Sequence, residues 1–149
     1  MNRSALLILS CCALVLTSCG TQFRREWEKA ANSVPPTGSI EGRWEGTWHS
    51  RATGHTGKLR CLVGPPCNAE GDHTFTYWAN WQHVLSASFK SSHRVKQSGS
   101  TIRFRGTHEM PAWVGGTYSY DGKLEKGKFC AEYRSAGDQG TFEMCRPRD

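Results

Sequence analysis

The chain has 149 residues, with 19 Lys and Arg against 13 Asp and Glu, a formal net charge of +6 and an isoelectric point near 9.1. Aromatic residues make up 11%, there are six Trp and 16 Gly, and this balance describes a turn-rich β protein rather than a helical bundle or a disordered chain. The cations are dispersed and no recognition helix is visible, so nucleic acid is not expected as a partner.

The first segment reads as an address. Met1-Asn2-Arg3 is short and basic, and the apolar stretch Ala5–Leu16, broken only by Ser10, is too short to span a bilayer but has the length of a signal-peptide core. Leu16-Thr17-Ser18-Cys19 follows. This resembles the bacterial lipobox, in which small side chains enter a peptidase cleft and the Cys thiolate takes the lipid. The resemblance implies a signal peptide over residues 1–18 and an exported lipoprotein lipidated at Cys19. Gly20 is not the Asp of an inner-membrane retention signal, which points to the outer membrane with the domain facing the periplasm. Cleavage removes one charged side chain, Arg3, so the mature net charge falls from +6 to +5.

Residues 19–39 are expected to form a lipidated tether. Phe23, Trp27 and Ala30 recur at helical spacing between Gln22 and Asn32, with Thr21 as a cap and Arg24 and Glu28 as an i,i+4 pair. Ser33-Val34-Pro35-Pro36-Thr37-Gly38 breaks that pattern. Phe23 and Trp27 then rest on the membrane surface or close one end of the following domain.

Over residues 40–149 the period changes to two. Trp44 and Trp48, then Leu59, Cys61 and Val63, then Phe75, Tyr77 and Ala79, then Leu85, Ala87 and Phe89 alternate with polar residues. The pattern continues through Ile102 and Phe104, Tyr118 and Tyr120, Phe129, Ala131 and Tyr133, and Phe142 and Met144. These are eight candidate strands, each with one apolar face. Gly-rich turn signals separate them, so neighbours in sequence should pair antiparallel. An all-β, up-and-down meander of this kind closes into a small barrel or folds as a sandwich; the short links favour the barrel.

Four cysteines remain besides Cys19: Cys61, Cys67, Cys130 and Cys145. A two-residue Gly137-Asp138 turn would pair Tyr133 with Phe142, Ala131 with Met144 and Phe129 with Arg146, and would place Cys130 opposite Cys145 as a disulfide candidate. Cys61 and Cys67 flank Gly64-Pro65-Pro66 and could close a small loop, or Cys61 could stay a buried free thiol.

Gly42-Arg43-Trp44 at the first strand resembles the Gly-x-Trp signature of the calycins, the lipocalin and fatty-acid-binding-protein superfamily, and Gly46-Thr47-Trp48 resembles the opening of fatty-acid-binding proteins. The resemblance implies a closed barrel in which an Arg of the last strand packs across the first-strand Trp. Arg146, inward by parity, is the matching residue and Trp44 its partner.

The inward aromatic residues offer a lining for a small apolar or amphipathic ligand: Trp48, Phe75, Tyr77, Phe104, Tyr118, Tyr120 and Tyr133 are the candidates. The opposing expectation is that the rings fill the barrel completely. One alternative is an interaction module that meets an anionic envelope polymer or protein through outward Lys58, Arg60, Arg103 and Arg105. Another is an enzyme built on His49, His55 and His108, although no His pair has zinc-site spacing, no nucleophile elbow occurs, and neither catalytic residues, metal nor cofactor are assigned.

Overall fold

The computed structural model of the protein describes residues 20–81 and 85–148, except for the side chain of Val114. Cys19 lies outside them, as do the signal segment and His83. Eight strands follow in chain order: β1 (Gly42–Ser50), β2 (Thr56–Pro66), β3 (Asp72–Trp81), β4 (Leu85–Ser98), β5 (Thr101–Glu109), β6 (Thr117–Glu125), β7 (Lys128–Arg134) and β8 (Gln139–Cys145). Each pairs antiparallel with the next, and β8 returns to β1 through Glu45–Ser50, so the meander closes as a barrel. Closure gives each of the eight strands a neighbour on both sides, although β4 meets β5 only from Ser92 onward.

The period-two pattern dictates which residues are inside. Trp44, Leu59, Cys61, Val63, Phe75, Tyr77, Ile102, Phe104, Tyr120, Phe129, Tyr133, Phe142 and Met144 share one continuous core, while the residues between them point to the outside of the barrel. β4 is longer than its apolar run. Beyond Phe89 it continues the inward parity with Ser91, His93 and Val95, of which Ser91 and His93 are buried. A 3-10 turn, Ala112–Val114, caps the β5–β6 link and carries Trp113, which is 86% exposed.

Helix α1 covers residues 20–31. Thr21 lies within its first turn rather than capping it, and a Gln22 to Glu26 hydrogen bond of 3.0 Å spans that turn. Phe23 and Trp27 neither lie free for a membrane nor close a barrel end. They are buried against the outer wall, where Phe23 stacks on Trp78 at 6.5 Å and the guanidinium groups of Arg43 and Arg60 sit 5.4 and 4.9 Å from the Trp27 ring. An outward Trp on β3, flanked by cations, is a better surface for two aromatic rings than solvent is.

The last hairpin departs from the expected register by two residues. Tyr133 pairs with Gly140, Ala131 with Phe142 and Phe129 with Met144, so Cys130 faces Glu143 and not Cys145. The reason is the turn. Its loop is four residues long, 135–138, because the Ser135 hydroxyl accepts the amide N–H groups of Gly137 and Asp138. The Asp138 carboxylate is held in turn by the hydroxyls of Ser50 and Tyr133, at 2.6 and 3.0 Å. A shift of two preserves the pleat, so the inward set survives while the disulfide pairing does not. Cys61, Cys67, Cys130 and Cys145 are all free thiols. Cys61 points into the core, whereas Cys67 lies beyond the register shift between Val63 and Pro66, on the outside beside the Thr74 hydroxyl; the two cannot bridge from opposite sides of the wall.

Candidate functional site

The two ends of the barrel differ. At one end, where β1 begins and β8 finishes, Arg146 lies over Trp44 with its guanidinium carbon 3.9 Å from the indole centroid. Its Nη1 and Nη2 donate to the carbonyls of Arg43 (3.2 Å) and Ser39 (2.9 Å), and the Trp44 indole N–H donates to the Ile40 carbonyl at 2.7 Å. Ile40 is itself buried. Gly42 makes this arrangement possible on two counts. Its φ of 97° is one that side-chain-bearing residues rarely adopt, and a Cβ there would stand 2.9 Å from Arg146 Nη1. Burial lowers the Arg146 pKa, yet a guanidinium stays charged. The three signature residues Gly42, Trp44 and Arg146 thus meet in one plug.

Above the plug the barrel is packed solid. Phe129 touches Trp44, Phe75 and Phe104 at ring separations of 5.6, 6.2 and 4.6 Å. Three of the candidate ligand-lining residues belong to this floor: Phe75, Tyr77 and Phe104 are buried among other rings and do not line the open end of the barrel. They sit low on their strands, where the eight-stranded cross-section is filled by its own side chains.

A polar chain runs through this floor. Tyr77 hydrogen-bonds to the buried Cys61 thiol, and its hydroxyl lies 3.4 Å from His93 Nε2. Burial pushes both the thiol and the phenol well above their usual pKa. Burial, with a smaller contribution from the His108 charge, lowers the His93 pKa to about 4. His93 Nδ1 has no hydrogen-bond partner among the described residues. His93 packs against Phe75, Tyr77, Phe104 and Tyr120, so the imidazole is a neutral core residue. The remaining histidines among the described residues do not converge. His73 bonds to the Gly64 carbonyl, His49 and His55 are exposed, and His108 packs against Phe89. Among the described residues no three His, Cys, Asp or Glu side chains come together as a metal site.

The other end opens as a cup of about 780 Å³. Four of the candidate lining residues are here: Trp48, Tyr118, Tyr120 and Tyr133. The cup also takes Leu59, Ala79, Trp81, Phe89 and Phe142 from the walls, and Met110, Ala112 and Trp113 from the β5–β6 link. Phe89 and Phe142 follow the inward alternation of their strands but carry no sequence signal of a site. Trp81 was recoverable by extending the β3 alternation two residues beyond Ala79. The Trp48 indole is locked in the rim, donating to the Asn80 carbonyl at 2.8 Å across Gly57. A Cβ on Gly57 would come within 1.8 Å of that carbonyl and 2.6 Å of the indole nitrogen, so only glycine admits this contact. Polar groups are few: Asp138 with Ser50 and Tyr133, Thr53 and His55 lie at the edge, with the Tyr118 phenol and the deeper Tyr120 phenol, the latter with its pKa raised by burial. A concave apolar wall with a few polar groups at its rim is the ordinary chemistry of a small-molecule site.

No protein-family model, no curated protein and no solved structure matches the chain.

Proposed function

We propose that this protein is a lipid-anchored, non-enzymatic binding protein of the cell envelope, facing the periplasm from the outer membrane, with a calycin-like barrel. In this reading it holds a small apolar or amphipathic ligand in the open half of that barrel. The observation that carries the reading is the division of the interior: a plugged, ring-filled floor under an apolar cup. A cup of about 780 Å³ lies within the range of small-molecule pockets. The Tyr hydroxyls and Asp138 at its edge would meet a polar head while the rings take the tail. The Gly42, Trp44 and Arg146 plug supports the calycin resemblance, and Leu16-Thr17-Ser18-Cys19 supports the anchor. An acylated N-terminal Cys19 in the mass spectrum of the membrane fraction checks the anchor.

The competing view, docking of an anionic polymer on the outer face, has less to draw on. Arg105 is paired with Asp121 at 2.7 Å, and Arg60 lies near Glu45 at 3.6 Å and over Trp27. Two of the four cations that this view requires are thus already engaged.

A fluorescent single-chain fatty acid tests the proposal. Purified protein should bind it saturably, and palmitate should displace it. Ala79→Trp places an indole in the cup and should weaken binding at least about tenfold, or about 1.4 kcal/mol. Arg103→Ala, on the outer wall, should leave affinity unchanged. Non-saturable uptake, or equal affinity in wild type and Ala79→Trp, removes the proposal.

A further inference from the structure

The rim of the cup is unlike the rest of the surface. Its described loops, residues 51–55, 110–116 and 135–138, carry only two formal charges, Arg51 and Asp138. Arg51 is paired with Glu132 at 2.9 Å, and Asp138 accepts hydrogen bonds from Ser50 and Tyr133. Among the described residues, the two most exposed large apolar side chains of the barrel are here as well: Trp113, 86% exposed on its 3-10 turn, and Leu85, 50% exposed at the mouth end of β4. A Trp presented to solvent beside an apolar opening, on a chain with a net positive charge, has the chemistry of a side chain seated at a membrane interface.

The path of α1 points the same way. Its C-terminal end and the linker border the same cleft as Gly42, Val63, Gly64 and Arg146, at the plugged end. Trp27 lies midway, under Arg43 and Arg60. Phe23 has moved across to Trp78 and shares a cleft with Thr76, Ser88 and Lys90, halfway up β3 and β4 and mouthward of the plug. The helix therefore climbs from the plug toward the mouth as it is followed back to its N-terminus. Gly20, which directly follows Cys19 in the sequence, is at the mouthward end. With Phe23 and Trp27 buried, α1 is a fixed strut on the wall rather than a loose leash.

We infer that the open rim of the barrel docks on the lipid surface, with Trp113 and Leu85 entering the interface, so that the cup opens onto the bilayer. The inference rests on the anchored reading above for its direction, and on the rim chemistry independently of any ligand. Charge adds attraction to an anionic leaflet, but the apolar side chains make the contact itself.

The test uses purified full-length protein with vesicles of phosphatidylethanolamine and phosphatidylglycerol, part of them carrying brominated acyl chains that quench nearby indoles. Wild-type emission should lose a component that Trp113→Ser does not lose. The loss should persist in about 1 M sodium chloride, where the screening length is about 3 Å. Leu85→Ser should reduce it. In the Trp113→Ser background, Ser100→Trp places an indole on the exposed β4–β5 turn at the plugged end, and that indole should not be quenched. Equal quenching of wild type and Trp113→Ser, or quenching at Ser100→Trp as strong as at Trp113, overturns the inference; so does the absence of any quenching. Failure of the anchor shows separately, as an unmodified N-terminus in the mass spectrum.

Discussion

Replacing Arg146 with methionine is expected to destabilise the barrel by about 3–4 kcal/mol, and most of that loss is expected to depend on what Arg146 touches rather than on its volume. The stack on Trp44 contributes about 0.5–2 kcal/mol. Each hydrogen bond from a charged donor contributes about 1.5–3 kcal/mol, and the truncated site would leave the carbonyls of Ser39 and Arg43 without their donor. Methionine is easier to bury than a guanidinium, which offsets part of the sum. Arg103, on the outer wall, provides the control: Arg103→Met should stay within about 0.5 kcal/mol. The decisive measurement is a double-mutant cycle in denaturant with Trp44→Phe. Trp44 and Arg146 lie 102 residues apart in the chain, at the first and last strands, and meet only because β8 closes on β1. A coupling of about 1 kcal/mol would show that the plug acts as a unit, whereas strict additivity would show that the contact contributes nothing.

Acid should weaken the protein through His93. The unfolded chain takes up this proton from about pH 6.5 downward. In the folded barrel the imidazole is buried and its pKa is lowered to about 4. Between those values the unfolded state binds more protons, so stability falls as the pH is lowered, from near pH 6.5 until the folded pKa is reached. The full window is worth on the order of 3 kcal/mol. The groups that face His93 do not relieve it: Tyr77 and Tyr120 stay neutral phenols, and a charge on His108 would repel a second one. Urea unfolding of wild type and His93→Leu at pH about 7 and about 4.5 separates this contribution from the rest of the acid response. The wild type should lose clearly more than the variant; parallel losses would mean that His93 titrates as freely folded as unfolded.

His93 also illustrates what sequence reading missed. Up to Phe89 the fourth strand alternates apolar and polar residues, and the signal then fades into Ser91 and His93, which look like surface residues. Parity continues regardless, because a strand inside a closed sheet keeps its pleat whatever its side chains are. The Tyr77 hydroxyl beside Nε2, and the space left over Gly106, make the position tolerable for an imidazole. The Cys130–Cys145 pairing failed for the opposite reason. There the parity was right and the register was set by one loop residue, Ser135, whose hydroxyl holds a longer turn than a Gly-Asp pair suggests. Helix α1 was legible as a helix, but its resting place was not, since the outward Trp78 that receives Phe23 lies 55 residues away in the chain.

The amino-acid sequence by itself determined the eight strands, their antiparallel order and the apolar side chains that make up most of the core, because side-chain alternation is a local property that pleating converts directly into two faces. It also placed Gly42, Trp44 and Arg146 on one inner surface. Only the tertiary structure decided how that surface is divided. Phe75, Tyr77 and Phe104 became floor while Trp48, Tyr118, Tyr120 and Tyr133 became wall, a distinction of height along the barrel that carries no local signature. Height follows from register and closure, which are sums over every turn and pairing in the sheet. The open cup is therefore a property of the closed sheet, not of any one of its strands.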